Sequence, residues 1–194
     1  VRGKVGDALR EHLSSVMLNR QLTELVRDVE SDLLYHHSRR VFVFGSLRGH
    51  ALGRGFDDEL LYISAMFHDL GLTEKYRSDD LRFEIDAANV VRDFLTGHGY
   101  SQHDAEEAWA SIALHTTPMV PLHMSPLVEL VTRGVELDVM GVDYHELTDA
   151  QREKHGAANS WQTLPKVGPK TAKVIAQAWA GREPDALVEL QIGR

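Results

Sequence analysis

An imidazole and a carboxylate stand side by side at the end of a largely apolar stretch, where His68 and Asp69 follow residues 60–67. In such surroundings an unpaired carboxylate is costly to bury, so it must reach solvent, become protonated or find a partner. A metal ion satisfies both groups at once, because imidazole nitrogen and carboxylate oxygen are common metal ligands. The doublet therefore predicts a metal site.

Three more polar residues fall on apolar helical stripes when the sequence is stepped by three and four residues, namely His37, His115 and Asp138. A single histidine on such a stripe is usually a core residue, and a single aspartate can be held by backbone donors or an arginine. Together with His68, however, they put a metal-capable group on the inward face of four separate helices. This favours one shared site, whose nitrogen and oxygen ligands suit Zn, Mn, Fe, Co or Ni.

The elements that position these residues are predicted to be helices. Helical periodicity runs from residue 5 to about 140, and no sustained alternation of period two indicates a sheet, so the fold class is all-α. Residues 116–126 hold three of the six prolines and are predicted to form a loop that begins directly after His115. The predicted helices cover residues 21–47, 57–69, 81–95, 101–115, 126–140 and 167–180.

Length and composition agree with one folded domain. Of the 194 residues, 43% are hydrophobic and 26% are charged, which are ordinary values for a globular protein. We expect a single domain over residues 1–194, with a core at about 30–145 and a helical C-terminal extension at about 146–194. Because the chain has no cysteine, any metal must be bound through nitrogen and oxygen.

Charge and hydropathy restrict the partners. A net charge of -8 and a pI near 5.7 argue against a nucleic-acid backbone and favour a small-molecule substrate. No apolar run approaches the roughly 20 residues of a membrane span, and there is no signal-peptide pattern, so no membrane partner and a cytoplasmic location are expected. A homo-oligomer is compatible with these properties of the sequence.

The order His37, His68-Asp69, Asp138 resembles the HD-domain superfamily of metal-dependent hydrolases, whose pattern is H…HD…D on an all-α core. The likeness covers roughly residues 30–145. It implies an HD-domain helical bundle with the metal site between helices, and it makes these four residues the metal ligands. The phrases that carry it are HSRR at 37–40, FHDLG at 67–71 and GVELDVMG at 134–141.

Two departures from the family's patterns indicate which group of HD proteins the chain resembles. Members with two metals carry an additional histidine before a glutamate on the following helix, and Phe83 takes that place here, which implies a single metal. Phosphohydrolase branches often have a lysine or an acid three residues after the doublet's aspartate, where this chain has Leu72.

The chain is most similar to the cyanamide hydratase group of HD proteins, which adds water across the C≡N bond of cyanamide to give urea and uses one zinc. The phrases that carry this likeness are HSRRV at 37–41, FHDLGLT at 67–73, RFEIDAA at 82–88 and LHT at 114–116.

A mechanism follows from the residues and the likeness together. One divalent metal, with zinc favoured over Fe, Mn, Co or Ni, lowers the pKa of bound water to about 7 in favourable sites. We expect Asp69 to bind the metal while orienting the water, and His115 to give a proton to the nitrile nitrogen. Phe83, Thr116 and Thr117 are expected to line the substrate.

A second hypothesis is a one-metal phosphohydrolase that acts on nucleotides or another small phosphate. It needs cations for the phosphate, although arginines beside a ligand helix more often pair with acids, for which Asp32 and Asp58 are available. The candidate cations are Arg39, Arg40, Lys75 and Arg77.

A third hypothesis is DNA binding through residues 164–172, LPKVGPKTA. This phrase resembles the hairpin of helix-hairpin-helix motifs, in which a Gly-x-Gly turn presents backbone N–H groups to a phosphate. Lys166 replaces the first glycine, the motif occurs once and the protein is acidic, so this is a minor alternative.

Overall fold

The computed structural model of the protein describes residues 18–155, and every regular element in that range is helical. Three short 3₁₀ turns lie at Leu70–Leu72, Val120–His123 and Tyr144–Glu146. The all-α prediction is confirmed. The helices are α1 (18–29), α2 (Asp32–Ala51), α3 (Asp58–Phe67), α4 (Phe83–Gly97), α5 (Gln102–Ala113), α6 (Pro126–Met140) and α7 (Asp149–His155).

The prediction of one helix over residues 21–47 is wrong, because the chain turns between α1 and α2. Ser31 caps α2: its hydroxyl oxygen accepts a hydrogen bond from the N–H of Leu34 at 3.4 Å. At its other end α2 continues past residue 47 to Ala51. Gly45 and Gly49 therefore lie inside the helix.

The turn after α3 places the doublet. Asp57 caps α3 by accepting hydrogen bonds from the backbone N–H groups of Glu59 and Leu60. The helix ends at Phe67, so His68 and Asp69 lie in the turn before the 3₁₀ segment rather than in the helix. A Cβ on Gly71 would lie 2.0 Å from the carbonyl oxygen of Phe83, so this turn packs directly on the backbone at the start of α4.

Helices α2 and α6 approach closely through a glycine. A Cβ on Gly134 would lie 2.3 Å from the carbonyl oxygen of Val41, so only glycine permits this contact. His37 lies four residues before Val41, and Asp138 lies four residues after Gly134. Because the two helices run antiparallel, His37 and Asp138 both lie about one helical turn from this contact and on the same side of it. Their side chains therefore meet between the helices.

Helix α3 is buried on nearly all sides, which explains how the doublet that follows it comes to lie in the interior. Of the residues from 60 to 67, all but Tyr62 are buried, and α2, α4, α5 and α6 pack against this helix. The residues of this core with no exposed surface include Leu22, Val26, Leu61, Ile63, Met66, Phe67, Val91, Leu95, Ile112 and Leu130.

The remaining helix predictions agree with the structure to within two residues at each end, and the loop over residues 116–126 contains only a 3₁₀ turn. The helix predicted at 167–180 and the hairpin-like segment at 164–172 lie outside the described residues. In the part of the chain that is described, no helix has the length and apolar character needed to cross a bilayer.

Candidate metal centre

Two imidazoles and a carboxylate meet between α2 and the turn after α3. Nε2 of His37 lies 3.1 Å from Nε2 of His68. Oδ2 of Asp69 lies 3.7 Å from the first of these nitrogens and 3.4 Å from the second. All three residues are buried, and their ligand atoms lie within 4.8 Å of one another. Two nitrogens and one oxygen at this spacing can hold a divalent metal.

The opposite ring nitrogens fix the orientation of the imidazoles. Nδ1 of His68 donates to the carbonyl oxygen of Ala65 at 2.7 Å, since a carbonyl can only accept. Nδ1 of His37 lies 2.6 Å from Oδ2 of Asp138 and donates to that carboxylate. In both rings Nε2 therefore carries a lone pair directed at the group. This is the tautomer that binds a metal.

Burial keeps the central imidazole neutral. Desolvation, and next the neighbouring His37, lower the pKa of His68 to about 3. At neutral pH its ring is uncharged, as a metal ligand must be. His68 therefore presents a neutral nitrogen to the site.

Asp138 is held by a cation as well as by His37. Nε and Nη2 of Arg40 donate to its two oxygens at 2.6 and 3.0 Å. Although burial opposes it, the hydrogen bonds from His37 and Arg40 lower the pKa of Asp138, so it is ionised. Arg40 thus pairs with an acid, as arginines beside a ligand helix usually do, but that acid is on α6 and is neither Asp32 nor Asp58.

The structure thus brings three of the four predicted ligands into one group and puts Asp138 at the other ring nitrogen of His37. Its assignment as a ligand stays a prediction. What the geometry shows directly is that Asp138 sets the tautomer of His37.

His115 approaches the group from the end of α5. Its Nδ1 donates to the carbonyl oxygen of Ile112 at 2.7 Å, so its Nε2 is also an acceptor, and that atom lies 3.8 Å from Oδ1 of Asp69. Burial, and next the neighbouring His68, lower the pKa of His115 to about 4. The ring of Phe83 lies 5.7 Å from the His115 ring, centroid to centroid. The neutral Nε2 of His115 therefore borders the site.

The threonines expected to line the substrate have other contacts. The Thr116 hydroxyl donates to the buried carboxylate of Glu84 and accepts from Nη2 of Arg82 at 3.1 Å. Although burial opposes it, the hydrogen bonds from Arg82 and Thr116 lower the pKa of Glu84. Thr117 is half-buried and donates its backbone N–H to the carbonyl of Leu114 at 2.7 Å. Substrate lining by Thr116 and Thr117 stays a prediction.

Two buried acids near the site were not found from the sequence. Glu84 was noted only as the residue after Phe83, and Glu30 was not singled out at all. Glu30 accepts a hydrogen bond from Ser38 in the next helix and interacts electrostatically with Asp69, so no pattern within its own helix marks it.

Comparison with known proteins agrees with this geometry. The family model for the HD domain matches residues 34–146, more than half of the chain. The chain belongs to the HD-domain family, a family of metal-dependent hydrolases, and the bundle with its His37, His68 and Asp69 group is the candidate metal site of such a protein.

A short similarity to larger proteins also exists. A stretch of 29 residues, 15% of this chain, is 76% identical to DNA polymerase I of Mycobacterium leprae (strain TN) and of Mycobacterium tuberculosis (strain ATCC 25618 / H37Rv). The match spans only 3% of each polymerase. A likeness over so small a part of those proteins does not bear on the activity of the HD domain.

The contact between Arg40 and Asp138 gives a first prediction. Arg40→Met removes the guanidinium but keeps a long side chain, so Asp138 loses both orienting bonds and holds His37 less firmly. We expect metal affinity to fall about 10- to 100-fold, the usual cost of losing an outer partner of a ligand. Titration of metal-free protein with Zn²⁺ against a competing chelator measures this.

The neighbouring exposed arginine supplies the control, since Arg39 lies over the ring of Tyr35 at 5.8 Å and has no part in the centre. Arg39→Met should leave the affinity unchanged. Equal dissociation constants for Arg40→Met and the unmodified protein would contradict the positioning role.

Proposed function

We propose that this chain is a one-metal hydratase that adds water to the C≡N bond of cyanamide or another small nitrile. The observation that carries the proposal is the convergence of the Nε2 atoms of His37, His68 and His115 around Asp69, all within the interior. This arrangement suits a small uncharged substrate and a reaction that needs an activated water and one proton acceptor.

The donor set fits a divalent metal, because two imidazole nitrogens with free lone pairs face one carboxylate oxygen. His37, His68 and Asp69 would hold the ion, and Asp138 is our proposed fourth ligand on the family's pattern. The ionised state of Asp138, maintained by Arg40, supports that assignment, since a ligand carboxylate must be charged. A bound metal supplies Lewis acidity, which makes a water molecule acidic near neutral pH.

His115 would move the proton in this scheme. Its neutral Nε2 takes a proton from the attacking water, and the carboxylate of Asp69, 3.8 Å away, stabilises the imidazolium that forms. The oxygen bonds to the nitrile carbon as one C–N π bond breaks, and His115 then returns the proton to the nitrogen. Water is added, no group leaves, and with cyanamide the product tautomerises to urea.

Charge around the site favours this reaction over phosphoester cleavage. A phosphate needs an available cation. In the described range, however, Arg40 is bound to Asp138, and Arg82, at the start of α4, is bound to Glu84. Arg40, one of the candidate cations, and Arg82 therefore already have a carboxylate partner.

The test is a substrate panel with metal-reconstituted protein. Cyanamide, small aliphatic nitriles and nucleoside monophosphates are each incubated with the protein, while urea or amide formation and phosphate release are measured in parallel. We expect urea or amide, and no activity with Asp69→Ala. Phosphate release without hydration would overturn the proposal and select the phosphohydrolase hypothesis.

Metal stoichiometry is the second prediction. Phe83 occupies the place where two-metal relatives carry a further histidine, and the described residues bring together one group of ligand atoms, so we expect one tightly bound metal per chain. Elemental analysis of protein at full activity, after dialysis, gives the ratio. Two equivalents per chain would contradict the single-metal assignment, and the element found would identify the metal.

A further inference from the structure

A buried carboxylate joins the start of α4 to the end of α5. Glu84 lies in the first turn of α4 with 1% of its surface exposed. Its Oε1 accepts hydrogen bonds from Nη2 of Arg82 and from the hydroxyl of Thr116, and its Oε2 accepts one from Nε of Arg82 at 3.3 Å. Nη2 of Arg82 also donates to the Thr116 hydroxyl at 3.1 Å. These three residues form the Glu84 network, a closed ring of hydrogen bonds.

The burial of Glu84 separates this network from an ordinary surface ion pair. A carboxylate is costly to take out of water unless hydrogen bonds and a cation replace its hydration. The Arg82 side chain is 62% exposed, so burial of the acid is not needed for the two charges to meet. Burial does bring Glu84 to the Thr116 hydroxyl, and it makes that bond costly to lose.

The Glu84 network lies beside the imidazole that borders the metal centre. Thr116 follows His115 directly, and His115 lies beyond the last residue of α5, Ala113. The backbone N–H of His115 donates a long hydrogen bond, 3.4 Å, to the carbonyl oxygen of Ile112. The helix therefore holds this part of the backbone weakly, and Thr116 provides the next attachment.

The start of α4 contacts the other side of the centre as well. The ring of Phe83, the residue before Glu84, meets the His115 ring edge to face, at 5.7 Å and 71°. The carbonyl of Phe83 packs on Gly71, two residues after Asp69, so closely that a Cβ has no room. One helix end therefore contacts both the turn that carries Asp69 and the imidazole of His115, whose Nε2 lies 3.8 Å from that carboxylate.

We propose that the Glu84 network positions His115: by attaching Thr116 to the start of α4, it sets the distance between the His115 imidazole and Asp69. The inference rests on the role of His115 in the proposed function. Glu84 is not part of the group of ligand atoms, so the network acts on proton transfer and not on metal binding. Misplacing a reacting group by about 1 Å costs about 100-fold in rate.

Substitutions at Thr116 separate its hydroxyl from its shape. Thr116→Val removes the hydroxyl and keeps the shape, so with Zn²⁺-reconstituted protein and cyanamide we expect kcat to fall about 10- to 100-fold, with KM and metal content unchanged. Thr116→Ser restores the hydroxyl and should restore most of the rate. Arg82→Met should also lower kcat, and combining it with Thr116→Val should add little, because both act through Glu84.

A second hydrogen bond between α4 and α5 supplies the control. Nε1 of Trp109, six residues before His115, donates to Oδ1 of Asn89 at 3.0 Å. Asn89→Ala weakens the packing of the same two helices away from the centre, so it should lower Tm and leave kcat unchanged. A fall in kcat as large as that of Thr116→Val would make the Glu84 network a general support of the bundle and overturn the inference.

Proton NMR gives a readout that needs no substrate. The Nδ1–H of His115 donates to the carbonyl oxygen of Ile112, and its signal is assigned by its absence from His115→Ala. In Zn²⁺-reconstituted protein we expect Thr116→Val to shift or broaden this signal. Thr116→Ser and Asn89→Ala should leave it in place.

Several results would contradict the positioning role. In a protein that hydrates cyanamide, these are an unchanged kcat or an unchanged imidazole signal in Thr116→Val. A rise in KM alone would make the hydroxyl a substrate contact, and loss of metal would make the network a support of the ligands, so either overturns the inference. A displaced signal in a protein that hydrates no nitrile would support the positioning of His115 and reject the proposed function.

Discussion

Asp69→Ala is expected to abolish stoichiometric metal binding and turnover together. Asp69 is the only carboxylate in the group of three ligand atoms that the described residues form, and its two oxygens face His37, His68 and His115. Without it, that group keeps only the imidazoles of His37 and His68 and loses the carboxylate that lies close to both. A ligand that binds the folded state at 100 times its Kd stabilises it by about 2.7 kcal/mol, so the variant should also lose this metal-dependent stabilisation.

The measurement is paired. Metal content after dialysis and the change in Tm on adding Zn²⁺ are determined for Asp69→Ala and for Asp93→Ala, which removes an exposed carboxylate from α4. We expect a zinc-dependent rise in Tm for Asp93→Ala and none for Asp69→Ala. Full metal occupancy in Asp69→Ala would show that this carboxylate is not a ligand.

Local signals in the sequence were sufficient for most helix ends. Asp57 and Ser101 cap their helices through side-chain bonds to nearby N–H groups, and Pro126 opens α6, so the relevant contacts lie within one turn. The break at residue 31 was missed because the apolar period continues across it. Ser31 followed by Asp32 was the available signal, a cap and then an acid in the first turn.

Contacts between distant residues were harder to predict. The apolar stripes of the predicted helices indicated that His37, His68 and His115 face the same interior, in agreement with the family's pattern. Which acid faces which base, however, depends on how α2 and α6 cross, and that crossing is controlled by the glycine contact at Gly134. The partner of Arg40, Asp138, lies 98 residues away in the sequence, so no local pattern predicts the pair.

The second large effect concerns His115. Its Nε2 is a neutral acceptor held at 3.8 Å from Asp69 by the Nδ1 bond to Ile112, and it lies outside the group of three ligand atoms. If it transfers the proton between water and the substrate nitrogen, His115→Ala leaves the ligands in place and slows the chemistry. Loss of a positioned acid or base costs about 10²- to 10⁴-fold in rate, and we expect kcat to fall by that factor with metal content unchanged.

His103→Ala is the matched control, because it removes an exposed imidazole from the same helix, α5. Metal content and kcat should both stay at the level of the unmodified protein in this variant, whereas in His115→Ala they should separate. Loss of metal from His115→Ala would make His115 a ligand, since its free Nε2 already faces the centre. Retention of both metal and rate would make it a core histidine, and the proton would then have to come from another group at the centre.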